Sequence, residues 1–597
     1  MADRNNKSPR AGGIYIAVLG TSLMVALLGL AALTGQRLQN RMLVAATDIR
    51  QAELNANTAV ELALLTMKQD TNWRTTNANG NWFTNRGTAL GTCSLNVTDP
   101  IDADLANNAD DPVVVLGIGN SGQAEQRVRL TVDPGKEPIS SLRSAVAAGD
   151  LIDLQGDWLR APNALITANQ VSATTSQVLG NVEAISISGS TYYGTTTQIT
   201  SDKRPTMPDW TTVFSYYLTN GTQLNIGSLP TSTPNLGRNV GIENGETYWT
   251  GTPPGVAAAD IDQSNNQAHS GTYSLRVRNP MGPTAGAAQH IDSFVKPNQQ
   301  YVVEVWVYLD DAVAGLLFLS LHTKGTGGAA QSSASASVLV LPQSWIGLSA
   351  TLTAPTWTGD LEYAYVKVGG VNAALINEYF VDDLLIRETT TGRFIYRQVL
   401  SPSVNTLYTG APTNSQGIYW IDCGNQRLVI ERSRILGTLL VVNPGANSCV
   451  SNGPINWSPA VAGFPALLVD ADTATNANFS LNATSRLLSE VNNDVNFNPT
   501  GVPYDFGPTS LCTTTDSSIN DVYPSEIRGL VVVRNDLTYQ NRCFVRGQVI
   551  VGDDIANSSG ELEVEYQRDS LLNPPPGFWA PYSYLRRPAS AEKVVLP

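Results

Sequence analysis

Histidine is scarce in this sequence, which limits the catalytic chemistry that the chain can carry. The three histidines are His269, His290 and His322. No H-E-x-x-H zinc motif, G-x-S-x-G nucleophile motif or phosphate-binding P-loop occurs. Enzymes that cut polysaccharides can instead use clustered acids or arginines, and such clusters depend on how the fold brings residues together.

Two pairs of carboxylates are candidates for acid–base chemistry, Asp470/Asp472 in "VDADT" and Asp553/Asp554 in "VGDD". Aspartates at turns usually satisfy local backbone groups. A glycosidase needs two carboxylates at a fixed separation across a cleft, and the sequence locates no such cleft. We therefore expect no enzymatic activity. A surface polysaccharide-active enzyme, either a glycosidase or a lyase, is the alternative.

The composition is typical of an extracytoplasmic protein rich in β-structure. Apolar residues make up 42% of the chain, but charged residues only 15%, against roughly 25% in ordinary soluble domains. The net charge is −14, and no basic patch with interleaved aromatic residues is present. A nucleic-acid partner is therefore not expected.

The five cysteines are Cys93, Cys423, Cys449, Cys512 and Cys543. None forms a C-x-x-C motif and no histidine lies near one, which argues against a zinc site. In an oxidising compartment, Cys423 could pair with Cys449 and Cys512 with Cys543. Buried free thiols are the alternative, because pairing does not follow from sequence.

Residues 14–35 form an uncharged apolar stretch. As a helix with a rise of about 1.5 Å per residue, they span about 33 Å, enough for a bilayer core. The segment before this stretch carries three basic residues, Arg4, Lys7 and Arg10, and one acidic residue, Asp3. Positively charged segments that flank a membrane helix favour the cytoplasmic side of the membrane. We expect a single-pass inner-membrane protein with its bulk outside the cytoplasm, or a location at the cell surface or in a filament.

The helical pattern continues beyond the apolar stretch. From Leu38 to Met67, apolar residues recur in steps of three or four, and polar residues occupy the other faces. Residues 14–71 are therefore predicted to form one helix, first membrane-spanning and then an amphipathic spine.

A short basic leader that ends in glycine, followed by such a helix, resembles a type IV prepilin and in particular the PilX-type and GspK-type minor pilins. The resemblance implies that a peptidase removes the leader, residues 1–13, by cleavage between Gly13 and Ile14. It also implies pilin-like subunits or secretion-filament machinery as partners, besides the membrane. Val18 stands where major pilins carry glutamate. An uncleaved signal anchor is the alternative.

Residues 72–135 are predicted to form a small β-rich segment, because "SLNVTD" and "EQRVRLTVD" alternate apolar and polar residues. The "GIGNSG" segment between them does not fit a dinucleotide fingerprint, since no βαβ unit with a downstream acid follows. We interpret it as a strand followed by a turn. In pilins a small sheet packs on the second half of the helix, and this segment is placed to do the same.

Residues 136–237 and 389–575 show short apolar strands separated by turns with Asn, Asp and Gly. This pattern suits a right-handed parallel β-helix, in which each coil buries apolar side chains against the next. No strict repeat emerges, so an irregular sandwich is the alternative. One domain interrupted by an insertion accounts for the two segments, because surface loops tolerate insertions.

Residues 238–388 form that insertion. "TYSLRVRN", "QYVVEVWVYLD" and "LEYAYVKV" alternate apolar and polar residues, which predicts antiparallel strands in two packed sheets. With "RNVGIENGETYWTGTPPG" before them and "NEYFVDDLLIRET" after them, they resemble the jelly-roll carbohydrate-binding modules attached to cellulases and xylanases. The expected fold class is mainly β, with a long N-terminal helix, a parallel β-helix and an inserted β-sandwich jelly roll.

The second resemblance implies a structural Ca²⁺ ion where the "GIENG" and "YFVDDLLI" segments approach each other. Its carboxylate ligands would be Glu243 and Asp382 or Asp383, because Ca²⁺ prefers hard oxygen ligands. An acid among apolar strand residues costs free energy unless it is paired, which favours a cation. Solvated strand ends without a metal are the alternative.

Aromatic residues of the insertion are candidates for a sugar-binding platform. Rings contact the flat C–H faces of sugars, while amides and carboxylates bind the hydroxyl groups. The candidates are Tyr248, Trp249, Trp306, Tyr308, Trp357 and Tyr363. A glycan is thus the expected partner, although any single tryptophan of a β-domain can equally belong to the core.

These patterns lead to one expectation for the whole chain. We expect a pilin-like, membrane-anchored cell-surface protein that displays a carbohydrate-binding-like module in a structural or adhesive role. A purely structural envelope protein, in which the jelly roll is only a spacer, stays open. Residues 576–597 are predicted to form an extended tail, and the sequence assigns it no role.

Overall fold

The computed structural model describes most of the chain in two compact units. They are Met1–Glu137 together with Trp579–Pro597, and Pro138–Phe578. The residues outside the described part are 1–10, 71, 109, 136, 190, 256, 281–284, 371–376, 451–452, 472–478, 484–486, 506–513, 557, 581–582, 588–589 and 595–597.

The first unit begins with one long helix, α1 (Ala11–Gln69), and a short helix, α2 (Trp73–Thr76). Apolar side chains are exposed along the first half of α1, from Ile14 to Val44. By length and composition, Gly13–Gln69 suffices to cross a membrane. The prediction of one long N-terminal helix is confirmed.

A small antiparallel sheet packs on the second half of α1. Its first four strands are β1 (Gly80–Thr88), β2 (Gly91–Thr98), β3 (Val113–Ser121) and β4 (Ala124–Gly135). The buried helix residues Ala56, Ala59 and Ala63 share a core with Val113 and Val115 of β3. The helical spacing of small residues therefore places a flat helix face on the sheet.

Two glycines allow α1 to approach β3 closely. A Cβ atom on Gly117 would lie 2.2 Å from the carbonyl oxygen of Ala56, and one on Gly119 would lie 2.0 Å from the carbonyl oxygen of Ala52. Only glycine fits at such distances. The "GIGNSG" segment is therefore the end of strand β3, which packs directly against α1, in agreement with the interpretation as a strand followed by a turn.

The C-terminal segment belongs to this sheet, which corrects the prediction of an extended tail. Ser583–Arg586 and Glu592–Lys593 both pair antiparallel with β4. Arg587 donates to both carboxylate oxygens of Asp133, at 2.9 and 2.6 Å. Strand β4 thus gains backbone partners that an edge strand would lack.

The second unit begins with a parallel-stranded region. Its strands before the insertion are β5 (Val146–Ala148), β6 (Leu151–Gln155), β7 (Trp158–Thr174), β8 (Gln177–Gly189), β9 (Tyr192–Tyr193), β10 (Thr196–Gln198) and β11 (Thr222–Leu224). Helix α3 (Trp210–Asn220) lies between β10 and β11. Asp209 caps its N-terminus by accepting a hydrogen bond from the Thr211 N–H.

The insertion is an antiparallel sandwich. Its strands are β12 (Trp249–Thr250), β13 (Asp260–Ser264), β14 (Ser274–Arg278), β15 (Gly286–His290), β16 (Gln300–Leu309), β17 (Gly315–Gly325), β18 (Gln331–Ala334), β19 (Val338–Val340), β20 (Trp345–Thr353), β21 (Leu361–Gly370) and β22 (Glu378–Glu388). Sheet I has the order β12-β15-β21-β17-β18, with β19 also on β17, and sheet II the order β13-β14-β22-β16-β20. The predicted pair of packed sheets is confirmed.

The chain then returns to the parallel-stranded region. The remaining strands are β23 (Arg393–Tyr396), β24 (Val399–Leu400), β25 (Ile418–Asp422), β26 (Leu428–Glu431), β27 (Arg434–Leu436), β28 (Thr438–Val442), β29 (Cys449–Val450), β30 (Asn456–Ser458), β31 (Pro465–Asp470), β32 (Phe479–Leu481), β33 (Leu488–Ser489), β34 (Val522–Tyr523), β35 (Glu526–Val533), β36 (Leu537–Val551) and β37 (Ser559–Tyr566). Two short helices accompany them, α4 (Glu490–Asn493) and α5 (Asp569–Leu572).

The pairing in this region is regular. Strand β23 pairs with β26, β26 with β29, β29 with β32 and β32 with β36, all in parallel. Strand β36 also pairs with β5, and β37 with β7. The segments before and after the insertion therefore share one parallel sheet, which we call the parallel sheet; β33 and β34 form a separate antiparallel pair.

The cysteines are buried as free thiols in the described part of the chain. Cys423 and Cys449 are both free, which corrects the proposed pair between them. Cys543 is also free, and Cys512 lies outside the described residues. Burial raises the pKa of both Cys423 and Cys543 to about 12, as expected for inert core thiols.

Candidate functional site

A cavity of about 570 Å³ lies where the sandwich meets the parallel sheet, and we call it the junction pocket. Its volume falls within the range of small-molecule sites, about 300–1,000 Å³. The sandwich contributes Arg238, Tyr248, His290, Asp292, Ser293, Asp360 and Leu361, and the region of the parallel sheet contributes Asn492, Asn541 and Arg542. The pocket therefore combines aromatic, cationic, anionic and amide groups.

Arg238 and Tyr248 form one side of the pocket. The Arg238 guanidinium lies 4.8 Å from the centroid of the Tyr248 ring, and Tyr248 is 41% exposed. Gln289 fixes the backbone of Arg238, because its amide accepts from the Arg238 N–H and donates to the Arg238 carbonyl. Burial lowers the pKa of Arg238, but a guanidinium keeps its charge near neutral pH.

His290 and Asp292 lie at the end of β15. The Nδ1 atom of His290 is 3.5 Å from Oδ1 of Asp292, which also accepts a 2.6 Å hydrogen bond from the Ala364 N–H. The hydrogen bond to Asp292 raises the pKa of His290. This histidine therefore carries more positive charge near neutral pH than a free imidazole does.

The opposite wall belongs to the parallel-stranded region. Nη2 of Arg238 donates to the carbonyl oxygen of Asn492 at 2.8 Å and to its Oδ1 at 3.2 Å. Arg542, in β36, donates to Oε2 of Glu563 at 3.0 Å and is itself 52% exposed at its side chain. Hydrogen bonds thus hold this wall in place, and the Arg542 guanidinium remains accessible to solvent.

A buried ion network fixes the sandwich to the parallel sheet. Nζ of Lys296 lies 2.8 Å from Glu388 and 2.7 Å from Glu431, and Nε of Arg432 lies 3.0 Å from Glu431. Their exposed fractions are 7%, 6%, 1% and 3% for Lys296, Glu388, Glu431 and Arg432. This network was not predicted, because no local signal in the sequence connects residues so far apart in the chain.

The apolar core crosses the same junction. Phe394, Tyr396, Val429 and Cys449 of the parallel-stranded region belong to the hydrophobic core of the sandwich. The insertion is therefore not a tethered module but one packed against its host.

The six predicted aromatic residues do not converge. Tyr248 lines the junction pocket. Trp249 is 8% exposed, lies in the sandwich core and donates its indole N–H to the carbonyl oxygen of Asn239. Trp357 also packs against that core. Trp249 therefore exposes almost no ring surface to a sugar, whereas Trp357 is only partly buried and stays a candidate.

The other three aromatic residues lie apart from the pocket. The Trp306 ring of sheet II stacks on His269 with centroids 4.0 Å apart, so one face of its ring is covered. Tyr308 contacts Trp345 and Phe380. Tyr363 is 8% exposed and stacks on Tyr365 of sheet I.

Sheet I carries an aromatic layer that the sequence analysis missed. Tyr365 is 1% exposed, donates to the Pro254 carbonyl at 3.0 Å and stacks against His322 with centroids 4.7 Å apart. Burial, with the nearby charge of Lys367, lowers the pKa of His322 to about 4. Burial also lowers the pKa of Lys367 to about 8. The layer is packed against its own chain and does not form an open platform.

The three predicted calcium ligands converge on one loop. Oε1 of Glu243 accepts from the N–H groups of Thr272 and Tyr273 at 2.8 and 3.0 Å. Oδ2 of Asp382 accepts from the N–H groups of His269 and Ser270 at 2.8 and 3.1 Å, while Oδ2 of Asp383 lies 2.6 Å from Nδ1 of His269.

Asp382 provides the test of fit to a cation. It is fully buried, and in the described part of the chain no lysine or arginine pairs with it. Burial raises its pKa to about 6. A buried carboxylate without a cationic partner is stabilised by a divalent ion, and Glu243 and Asp383 offer further hard oxygens on the same loop. In the described part of the chain, however, the acids whose ligand atoms lie within 4.8 Å of one another are Asp99/Asp102/Asp111 and Asp150/Asp553/Asp554, and Glu243, Asp382 and Asp383 do not form such a group.

The carboxylates considered for catalysis are distributed over the parallel sheet. Asp470 forms an ion pair with Arg534 at 2.9 Å, and Asp472 lies outside the described residues. Asp553 and Asp554 gather with Asp150. Burial raises the pKa of both Asp553 and Asp554.

The two antiparallel sheets define this part of the chain as a β-sandwich domain. Residues 234–371 match the family model of a carbohydrate binding domain, CBM_4_9. The chain thus contains a carbohydrate-binding module.

Known proteins resemble this part of the chain. Endo-1,4-beta-xylanase A of Thermotoga maritima is 28% identical over 181 residues, which cover 30% of this chain and 16% of that enzyme. Among solved structures, the CBM22-1 xylan-binding domain of Paenibacillus barcinonensis Xyn10C is 17% identical, with 26% of this chain and 92% of that one covered and a TM-score of 0.21. The C-terminal family 22 module of Clostridium thermocellum Xyn10B is 20% identical, with 28% and 95% covered and a TM-score of 0.22.

Proposed function

We propose that the module binds a β-1,4-linked polysaccharide, with xylan as the first ligand to test. The observation that carries this proposal is the match of residues 234–371 to the carbohydrate binding domain family. The name of the similar enzyme, an endo-1,4-beta-xylanase, supports the ligand class. The junction pocket supports it with an exposed ring, Tyr248, beside groups that bind hydroxyls.

Tyr248→Ala is expected to weaken binding of xylohexaose by about tenfold or more, because it removes the exposed ring of the pocket. Isothermal titration calorimetry on the full chain in detergent measures the affinity. Tyr193→Ala is the matched control, since Tyr193 is a 55% exposed tyrosine of β9 outside the pocket. Equal affinities of Tyr248→Ala and the wild type would remove Tyr248 from the site.

We also propose that Glu243, Asp382 and Asp383 hold a structural Ca²⁺ ion. Calcium is then expected to raise the Tm of the wild type relative to a chelator, and Asp382→Asn is expected to remove that increase. Differential scanning calorimetry measures both. Glu362→Gln, at an acid whose side chain is 45% exposed, is the control that should keep the response. Identical Tm values with calcium and chelator would contradict the proposal.

We propose a structural, non-catalytic role for the rest of the chain. The parallel sheet is proposed to be a β-helix that serves as a stalk. The parallel pairing of β23, β26 and β29 each with the third strand after it supports this. The first half of α1 is proposed to anchor the protein in a membrane with its bulk outside the cytoplasm. The amphipathic second half of α1 is proposed to associate with pilin-like subunits or secretion-filament machinery.

The pilin-like role predicts a mature protein that starts at Ile14. N-terminal sequencing of the protein from membranes of a host with a prepilin peptidase measures this directly. Gly13→Leu is expected to leave the leader attached. A wild-type protein that retains residues 1–13 in the same host would favour the uncleaved signal anchor instead.

A further inference from the structure

We propose that the junction pocket takes the terminal sugar unit of a glycan and that its binding groups come from both the module and the parallel sheet. This inference rests on the proposed function, namely that the module binds glycan. It goes further in two respects: the site is incomplete in the module alone, and it recognises chain ends rather than internal segments.

The two walls of the pocket stand in a fixed relation to each other. The network of Lys296, Glu388 and Glu431 is buried at the junction, and a shared apolar core crosses it. Buried ion pairs with satisfied partners hold one geometry, because any displacement exposes or separates charge. A ligand in the pocket therefore meets both walls at once.

A direct contact between the two walls closes the pocket on one side. Nη2 of Arg238, from the module, bonds to the carbonyl oxygen and to Oδ1 of Asn492, in α4. Arg238 also donates to Oγ of Ser293 at 3.0 Å. A polysaccharide cannot run between groups that are hydrogen-bonded to each other, so this contact blocks one exit of the pocket and favours a bound chain that ends at it.

The wall from the parallel sheet carries groups that can donate hydrogen bonds to sugar hydroxyls. Arg542 is positioned by ion pairs to Glu563 at 3.0 Å and Glu561 at 3.5 Å, and its side chain is 52% exposed. Asn541 precedes it with a left-handed backbone, φ 58°. Guanidinium and amide groups are donors that suit sugar hydroxyls, while Asp292 and Tyr248 on the module side supply an acceptor and a ring face. A terminal sugar presents more free hydroxyl groups than an internal one. The donors of Arg542 and Asn541 would bind these additional hydroxyls.

The experiment compares variants of the parallel sheet with a matched control. Arg542→Ala and Asn541→Gly are each expected to weaken xylohexaose binding by about tenfold in calorimetry of the full chain, although both lie outside the module. Glycine at position 541 keeps the left-handed backbone accessible. Arg534→Ala, at an arginine of the same sheet paired with Asp470 outside the pocket, is expected to bind like the wild type.

The stoichiometry tests recognition of chain ends. With a size-fractionated linear xylan, one protein molecule per polysaccharide chain is expected, whatever the chain length. Several molecules per chain, rising with length, would overturn end recognition. Wild-type affinity in both Arg542→Ala and Asn541→Gly would overturn the composite site, while a loss in Tyr248→Ala would leave the proposed function in place. A wild-type protein that binds neither xylohexaose nor xylan would overturn the proposed function and this inference together.

Discussion

Replacing Lys296 by methionine is expected to lower the free energy of unfolding of the second unit by about 3–5 kcal/mol, because it leaves buried charge without its partner. Lys296 is 7% exposed and contacts Glu388 and Glu431, which are 6% and 1% exposed. The formal charges of Lys296, Glu388, Glu431 and Arg432 cancel, and loss of the lysine takes away the ion pair that it forms with the buried Glu388. Methionine keeps most of the apolar stem, so the change acts mainly on charge.

Urea unfolding of the full chain in detergent measures the difference. Lys324→Met is the matched control within the same module, since Nζ of Lys324 lies 2.8 Å from Glu362 but the two side chains are 33% and 45% exposed. An exposed pair of this kind contributes about 0–1 kcal/mol. If both variants lose the same small amount, the ion network does not stabilise the junction.

The network also marks where sequence reasoning stops. Lys296, Glu388 and Glu431 lie in three separate segments, and each is unremarkable among its neighbours in the sequence. Their meeting depends on how the sandwich docks on the parallel sheet, which is a property of two packed surfaces. Local periodicity carries no information about such docking, so neither the network nor the junction pocket was predicted.

The strands of the sandwich, in contrast, were predicted well. "TYSLRVRN" contains β14 and "QYVVEVWVYLD" contains β16, because alternation of apolar and polar residues reports directly on a half-buried strand. The same argument gave the long helix, whose apolar residues recur with helical spacing. These elements are fixed by interactions between close neighbours in sequence.

The choice of sugar-binding residues shows the limit of that information. Tyr248 and Trp249 are adjacent and equally plausible as platforms, yet Tyr248 is 41% exposed and Trp249 is 8% exposed. The backbone at Tyr248 is left-handed, with φ 75°, which turns the chain just before β12. Residue type alone does not reveal which of two neighbours such a turn directs outward, so the buried Trp249 could not be separated from the exposed Tyr248 by sequence.

Replacing Gly119 by alanine is expected to loosen the contact between α1 and β3 at a cost of about 1–3 kcal/mol or more. The new Cβ atom would lie 2.0 Å from the carbonyl oxygen of Ala52 and 2.4 Å from the backbone nitrogen of Ala56. Both neighbours are backbone atoms of a helix, so no side-chain rotation relieves the overlap. The helix must move away from the sheet, which opens the buried row of Ala56, Ala59 and Ala63.

Hydrogen–deuterium exchange of the full chain in detergent locates this effect. Faster exchange is expected in β3 and in the part of α1 around Ala52 and Ala56, since both lose packing when they separate. Gly87→Ala is the matched control on strand β1, because a Cβ atom there meets nothing within 4 Å. Its exchange should equal that of the wild type. If exchange in Gly119→Ala also equals that of the wild type, α1 does not pack closely against β3 at this position.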